Sequence, residues 1–89
     1  MQEKQIEIIN KLGLHARAAT KLANIANSFG SDIRITFEGK TIDGKSIMSL
    51  MLLAAAKGSV ITMTTEGSDE EAAMQALCDI INNRFDEGE

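Results

Sequence analysis

Apolar and polar positions alternate over Gln5-Ile6-Glu7-Ile8, a period-two pattern that predicts a strand with one buried face. The period then changes. Ala18, Leu22, Ile25 and Phe29 are spaced by four, three and four, which draws one face of a helix beginning near His15, with Gly30 expected to stop it as the C′ residue. Ile33, Ile35 and Phe37 alternate with Arg34 and Thr36 and predict a second strand. Glu38-Gly39 reads as a tight turn into a short third strand, Lys40 to Asp43. Ser46 is a good N-cap for a helix from Ile47 to about Ala55, ended by Gly58. The β-branched run Val60 to Thr65 predicts a fourth strand. Ser68-Asp69-Glu70-Glu71 has the form of a capping box opening a last helix, with Ala73, Leu77, Ile80 and Ile81 on its apolar face.

The resulting order is β-α-β-β-α-β-α. A small sheet with helices on one face and solvent on the other is the two-layer solution for such an order. With 89 residues and no linker, repeat or low-complexity segment, the chain reads as a single domain over 1–89. Hydrophobic residues make up 44% and aromatics only 3%, so the core must be packed by aliphatic side chains. The single cysteine excludes an internal disulfide. Cys78 shares a helical stripe with Met74, Ile81 and Phe85 and is expected to be a small buried hydrophobe. Met1-Gln2-Glu3-Lys4 is unlike a secretory signal, and no apolar run reaches membrane-spanning length, which points to a soluble cytoplasmic protein.

Charge is unevenly spread around a net −4. Residues 1–58 hold eight basic and five acidic side chains, and residues 59–89 hold one basic and eight acidic. The first part is suited to phosphate or to acidic partners, although an ordinary solvated surface explains the same distribution. Without aromatic interleaving or a basic run, nucleic-acid binding is not expected.

The chemistry concentrates in Gly13-Leu14-His15-Ala16-Arg17, which contains the one histidine of the chain. Glycine supplies a bend, and the imidazole falls where the first helix starts and backbone N–H groups are unpaired. The positive end of the helix disfavours an imidazolium there, so the ring is expected to be a neutral nucleophile able to accept a phosphoryl group. The N–H groups of Ala16 and Arg17 would then face the product's oxygens, and the Arg17 guanidinium could clamp them. A histidine that merely caps the helix accounts for the same residues. A metal site is not expected, because there is no second histidine and Cys78 is distant in sequence.

Gly39 to Ser46, GKTIDGKS, satisfies the nucleotide-binding pattern G-x-x-x-x-G-K-[ST]. The context is wrong, since Lys40–Asp43 is itself strand-like and the chain is too short for a doubly wound nucleotide domain. Beyond Ser46, the segment Ile47-Met48-Ser49-Leu50-Met51-Leu52-Leu53 is apolar around most of its circumference. Leu50 and Leu53 are expected in the core, leaving Ile47, Met48 and Met51 as an adaptable docking patch.

His15 with Arg17, Lys45-Ser46-Ile47-Met48, the Lys57-Gly58 turn and the order of helices together resemble HPr, the histidine-containing phosphocarrier family of the bacterial phosphotransferase system, over essentially the whole chain. The resemblance implies an α+β open-faced β-sandwich, four antiparallel strands covered on one face by three helices. It implies that His15 takes a phosphoryl group from phospho-enzyme I and passes it to an enzyme IIA, with Arg17 assisting. Ser46 would be a regulatory phosphorylation site for an HPr kinase/phosphorylase. The protein would act as a monomeric co-substrate without a cofactor or membrane insertion, and not as an independent enzyme. Where the family usually has proline after the arginine, Ala18 stands here, which favours a nitrogen-branch regulatory homologue; a phosphorylation-switched interaction module is the other alternative.

Overall fold

The computed structural model describes residues 1–87. Four strands, β1 (Gln2–Glu7), β2 (Asp32–Phe37), β3 (Lys40–Asp43) and β4 (Val60–Glu66), form one antiparallel sheet in the order β1-β4-β2-β3. Helices α1 (Ala16–Asn27), α2 (Ile47–Leu53) and α3 (Glu70–Asn82) join them, giving the expected β-α-β-β-α-β-α sequence. Alternation along the central strands decides which face is covered. Ile33, Ile35, Ile61 and Met63 point into the core. Arg34, Thr36, Thr62 and Thr64 lie in the intervening positions of the pleat, toward solvent. The helices supply the opposing layer through Ala18, Ala19, Leu22, Ala23 and Ala26 of α1 and Ala73, Met74, Leu77, Cys78 and Ile81 of α3. Alanines on α1 allow the helix to sit close to its neighbours. Burial pushes the Cys78 thiol up from its ordinary value, as expected of a packing cysteine.

The Glu38-Gly39 turn has positive φ at both residues, 50° and 81°, and returns β3 onto β2. The nucleotide-binding pattern is therefore spread over a hairpin strand and a helix cap, not a loop after a parallel strand.

Strand β1 runs over Gln2–Glu7, starting before the Gln5–Ile8 alternation and leaving the buried Ile8 just beyond it, and three expected helix signals are realised differently. Helix α1 ends at Asn27 with Ser28 as its C-cap, and Gly30 is not its left-handed terminator. Gly30 lies beyond it, where its N–H is bound by Asp69. Helix α2 stops at Leu53 because Ala54, and not Gly58, takes the left-handed conformation, at φ 54°. The capping box at Ser68 does not form: Asp69 is the N-cap of α3 and makes no side-chain cap bond. Its carboxylate instead accepts from the N–H groups of Gly30 and Ser31, at 2.9 and 3.0 Å, and from the Ser31 hydroxyl. Those bonds, the Ser31 hydroxyl first, hold it below the usual carboxylate range and tie α3 to the start of β2.

Phe85 does not continue the helical stripe of Met74, Cys78 and Ile81 on which its spacing placed it, because α3 stops at Asn82. After α3, Arg84, Phe85 and Asp86 all adopt positive φ, 54°, 53° and 62°. Each such residue costs roughly 1–2 kcal/mol for a non-glycine side chain. Complete burial of Phe85, worth about 1.5–3 kcal/mol, offsets part of that cost, and the Lys21 ammonium donates to its carbonyl at 2.8 Å. This left-handed turn sends residue 87 back toward the start of α1.

Candidate functional site

Between β1 and α1 the chain makes a compact loop. Gly13 has φ +66°, and a Cβ there would lie 2.5 Å from the Ala55 carbonyl oxygen and 2.8 Å from the Ala56 Cα, so no other residue fits without movement. The close approach lets the Leu14 N–H donate to the Ala55 carbonyl at 2.9 Å, seating the loop against the end of α2. Leu14 is buried, and the next residue is His15.

His15 is the N-cap of α1, in extended conformation at φ −76° and ψ 179°. Its Nδ1 accepts from the Arg17 N–H at 3.3 Å, so the imidazole plays the part usually taken by a serine or aspartate oxygen. A backbone N–H can only donate, so Nδ1 carries its lone pair and the ring proton belongs on Nε2. Nε2 meets the carboxylate of Glu87, which is tucked under the ring with only 11% of its side chain exposed, against 27% for His15. The other Glu87 oxygen accepts from Asn10 Nδ2 at 3.0 Å, and the same amide donates to the Gly13 carbonyl at 2.9 Å. Asn10 is fully buried, and its own Oδ1 has no partner among the described residues.

Burial alone would push the Glu87 carboxyl up. Hydrogen bonds from Asn10 and His15, with the charges of His15 and Arg17, outweigh it and hold the group below the usual carboxylate range. Glu87 is therefore ionised at neutral pH. Arg17, the second residue of α1, is exposed.

His15, Ala16 and Arg17 thus come together, with Nδ1 facing the first amides of a helix. Ser46 stands apart. It is the N-cap of α2, half-exposed, its Oγ accepting from the Ser49 N–H at 3.2 Å. Asn27, the last residue of α1, donates to the Lys45 carbonyl at 2.9 Å, so Ser46 lies at the far end of the 12-residue α1, about 18 Å from its start at 1.5 Å per residue. On α2, Ile47, Met48 and Met51 are exposed while Leu50 and Leu53 are buried. Leu52, 73% exposed, and Leu12, 64% exposed on the site loop, extend the apolar surface beyond what the sequence indicated.

The pattern "PTS HPr component phosphorylation site" matches residues 2–83. The chain belongs to the HPr family. The phosphocarrier protein HPr of Neisseria meningitidis serogroup A is 55% identical over all of both chains. The phosphocarrier protein NPr of Shewanella violacea is 44% identical, covering 96% of this chain and 93% of its own. Among solved structures, HPr-C-His from Thermoanaerobacter tengcongensis superposes with a TM-score of 0.94 at 44% identity, covering 98% of each chain. An HPr fold and a phosphocarrier family are thereby fixed for this chain.

Sequence reasoning missed Glu87 and Asn10. Asn10 had a weak signal, as a turn-forming residue before Gly13. Glu87 had none, because its approach to His15 spans 72 residues and depends on the turn at Phe85.

Proposed function

We propose that this protein is a phosphocarrier of the phosphotransferase system that takes a phosphoryl group on Nδ1 of His15 from phospho-enzyme I and passes it to an enzyme IIA. The observation that carries the reading is the Nδ1 lone pair directed at the N-terminal amides of α1. Nδ1 attacks the phosphorus of the donor's phosphohistidine; the new P–N bond forms as the donor's breaks, and the donor imidazole leaves with the electron pair. The Arg17 N–H, which donates to Nδ1 in the free protein, is then available to a phosphoryl oxygen. The Ala16 N–H and the Arg17 guanidinium add to that anion site. Transfer to the acceptor reverses the same exchange, so the protein acts as a co-substrate, in this reading a cytoplasmic monomer.

Partner binding falls to the exposed apolar residues Ile47, Met48 and Met51, with Leu12 and Leu52 beside them. Ser46 caps the helix that carries most of this patch, which supports its role as a regulatory site for an HPr kinase/phosphorylase. A phosphate there adds about two negative charges to the docking face while favouring the helix start. Ser46→Asp is expected to slow association with enzyme I, more strongly at low salt, in stopped-flow measurements; a rate unchanged at every ionic strength would contradict this. Ser46→Ala should instead lower stability by about 1 kcal/mol through loss of the cap.

The second reading, a regulatory nitrogen-branch carrier, is favoured by Ala18 and by the NPr relative. Ala18 is fully buried in the first turn of α1. One experiment tests both. The protein is incubated with phosphoenolpyruvate and enzyme I, then divided between a sugar-type and a nitrogen-type IIA. Label that forms on the protein and is lost rapidly to one IIA supports carriage and identifies the branch. Stable label lost to neither would favour an interaction switch.

A further inference from the structure

The carboxylate on the far side of the imidazole has no part in the scheme above, yet it is the most heavily anchored group in the site. Glu87 is ionised, nearly buried and held by two donors, Asn10 Nδ2 and His15 Nε2. The chain bears three consecutive left-handed residues to bring it there, secured by the burial of Phe85. The fully buried Asn10 leaves its own Oδ1 without a partner among the described residues while its amide bridges Glu87 to Gly13.

We infer that Glu87 is a positioning residue for phosphoryl transfer: its carboxylate keeps the proton on Nε2 of His15 and balances the positive charge the ring acquires when Nδ1 takes a phosphoryl group. The inference rests on Nδ1 of His15 being the acceptor. The balance of the step explains why such a group is useful. A neutral imidazole with its proton on Nε2 attacks through Nδ1, and no proton has to leave. The ring becomes a phosphoimidazolium, still N–H on Nε2, with one positive charge that faces the Glu87 carboxylate. When the acceptor attacks phosphorus, the P–N bond breaks and the ring departs as the same neutral tautomer. A carboxylate on Nε2 thus serves both directions, as a buried aspartate does behind the histidine of a hydrolytic triad. With the other tautomer, Nδ1 would carry hydrogen and could not attack.

The surrounding charges are few. Arg17 and Lys21 lie on α1, Lys11 and Lys57 on the two loops flanking the site, and Asp86 on the final turn, 3.7 Å from the Lys21 ammonium. Among the acidic groups of these segments, Glu87 is the one in contact with the ring.

The test uses full-length protein labelled with 15N-histidine, as the parent, Glu87→Ala and Glu87→Gln, before and after phosphorylation by phosphoenolpyruvate and enzyme I. In the parent, nitrogen shifts should report the Nε2–H tautomer. Glu87→Ala should gain the Nδ1–H tautomer, whereas Glu87→Gln should retain the parent tautomer through its amide oxygen. In both variants the pH midpoint for protonation of the phosphorylated ring should fall by about one unit, because a fixed negative charge has been removed. The rate of phosphoryl acceptance should fall about tenfold, the usual order for loss of a group that orients a reacting histidine. The amide spectrum of the sheet checks that each variant is folded. A midpoint unmoved in both variants overturns the role of Glu87, even with label on residue 15. Absence of label on residue 15 in the parent would instead overturn the phosphocarrier reading itself.

Discussion

Phosphoryl incorporation from phosphoenolpyruvate and enzyme I should disappear completely in His15→Ala, while the protein stays folded. His15 is the one histidine of the chain, and its Nδ1 presents a lone pair to the first amides of α1. The variant also loses the N-cap of α1, a change worth about 1 kcal/mol. In a domain of this size that lowers Tm by roughly 4–8 °C. The expected combination is therefore no label, a modest fall in Tm and an intact far-UV spectrum. Residual label at the parent level would show that another residue is the acceptor. Wholesale unfolding would mean that the ring is a packing element, contrary to its partial exposure.

Phe85→Ala should be the most destabilising substitution at the end of the chain. Removing a fully buried phenylalanine typically costs about 3–5 kcal/mol. Here the loss is opposed by release of strain at position 85 itself, roughly 1–2 kcal/mol, while the Lys21 bond to that residue's carbonyl still restrains its neighbours. The lower end of that range is thus expected, about 3 kcal/mol, read from urea midpoints at constant slope. A fall of that size is a large part of the 5–15 kcal/mol available to a domain. The folded fraction should also transfer phosphoryl more slowly, because Glu87 is carried on the turn that Phe85 secures. A loss below about 1 kcal/mol would show that the turn is self-supporting, in conflict with three consecutive positive φ angles.

Most of the architecture could be read locally. The first two strands carry alternation and the fourth a β-branched run, the Glu38-Gly39 turn has the residues its φ angles demand, and Ser46 caps α2 as its type predicts. Where reading failed, a distant partner had intervened. Asp69 looked like part of a capping box, but its carboxylate is taken by Gly30 and Ser31, some 38 residues away, which no local window reveals. Gly30 and Gly58 looked like helix stops, yet the helices end earlier, at the Ser28 cap and at Ala54 in the left-handed conformation. The site divides along the same line. His15, Ala16 and Arg17 are neighbours in sequence, and a helix start orients them in a predictable way. The other half, Asn10 and Glu87, exists only once β1, α1 and the final turn are assembled.

At the centre lies a claim about one atom: Nδ1 of His15, its lone pair turned toward the first amides of α1, is the phosphoryl acceptor. Phosphorylating 15N-histidine-labelled protein with phosphoenolpyruvate and enzyme I, then locating phosphorus by 31P–15N coupling, tests it most directly. Coupling to Nδ1 of residue 15 is the predicted result. Phosphorus on Nε2, or on any residue other than His15, would contradict the account.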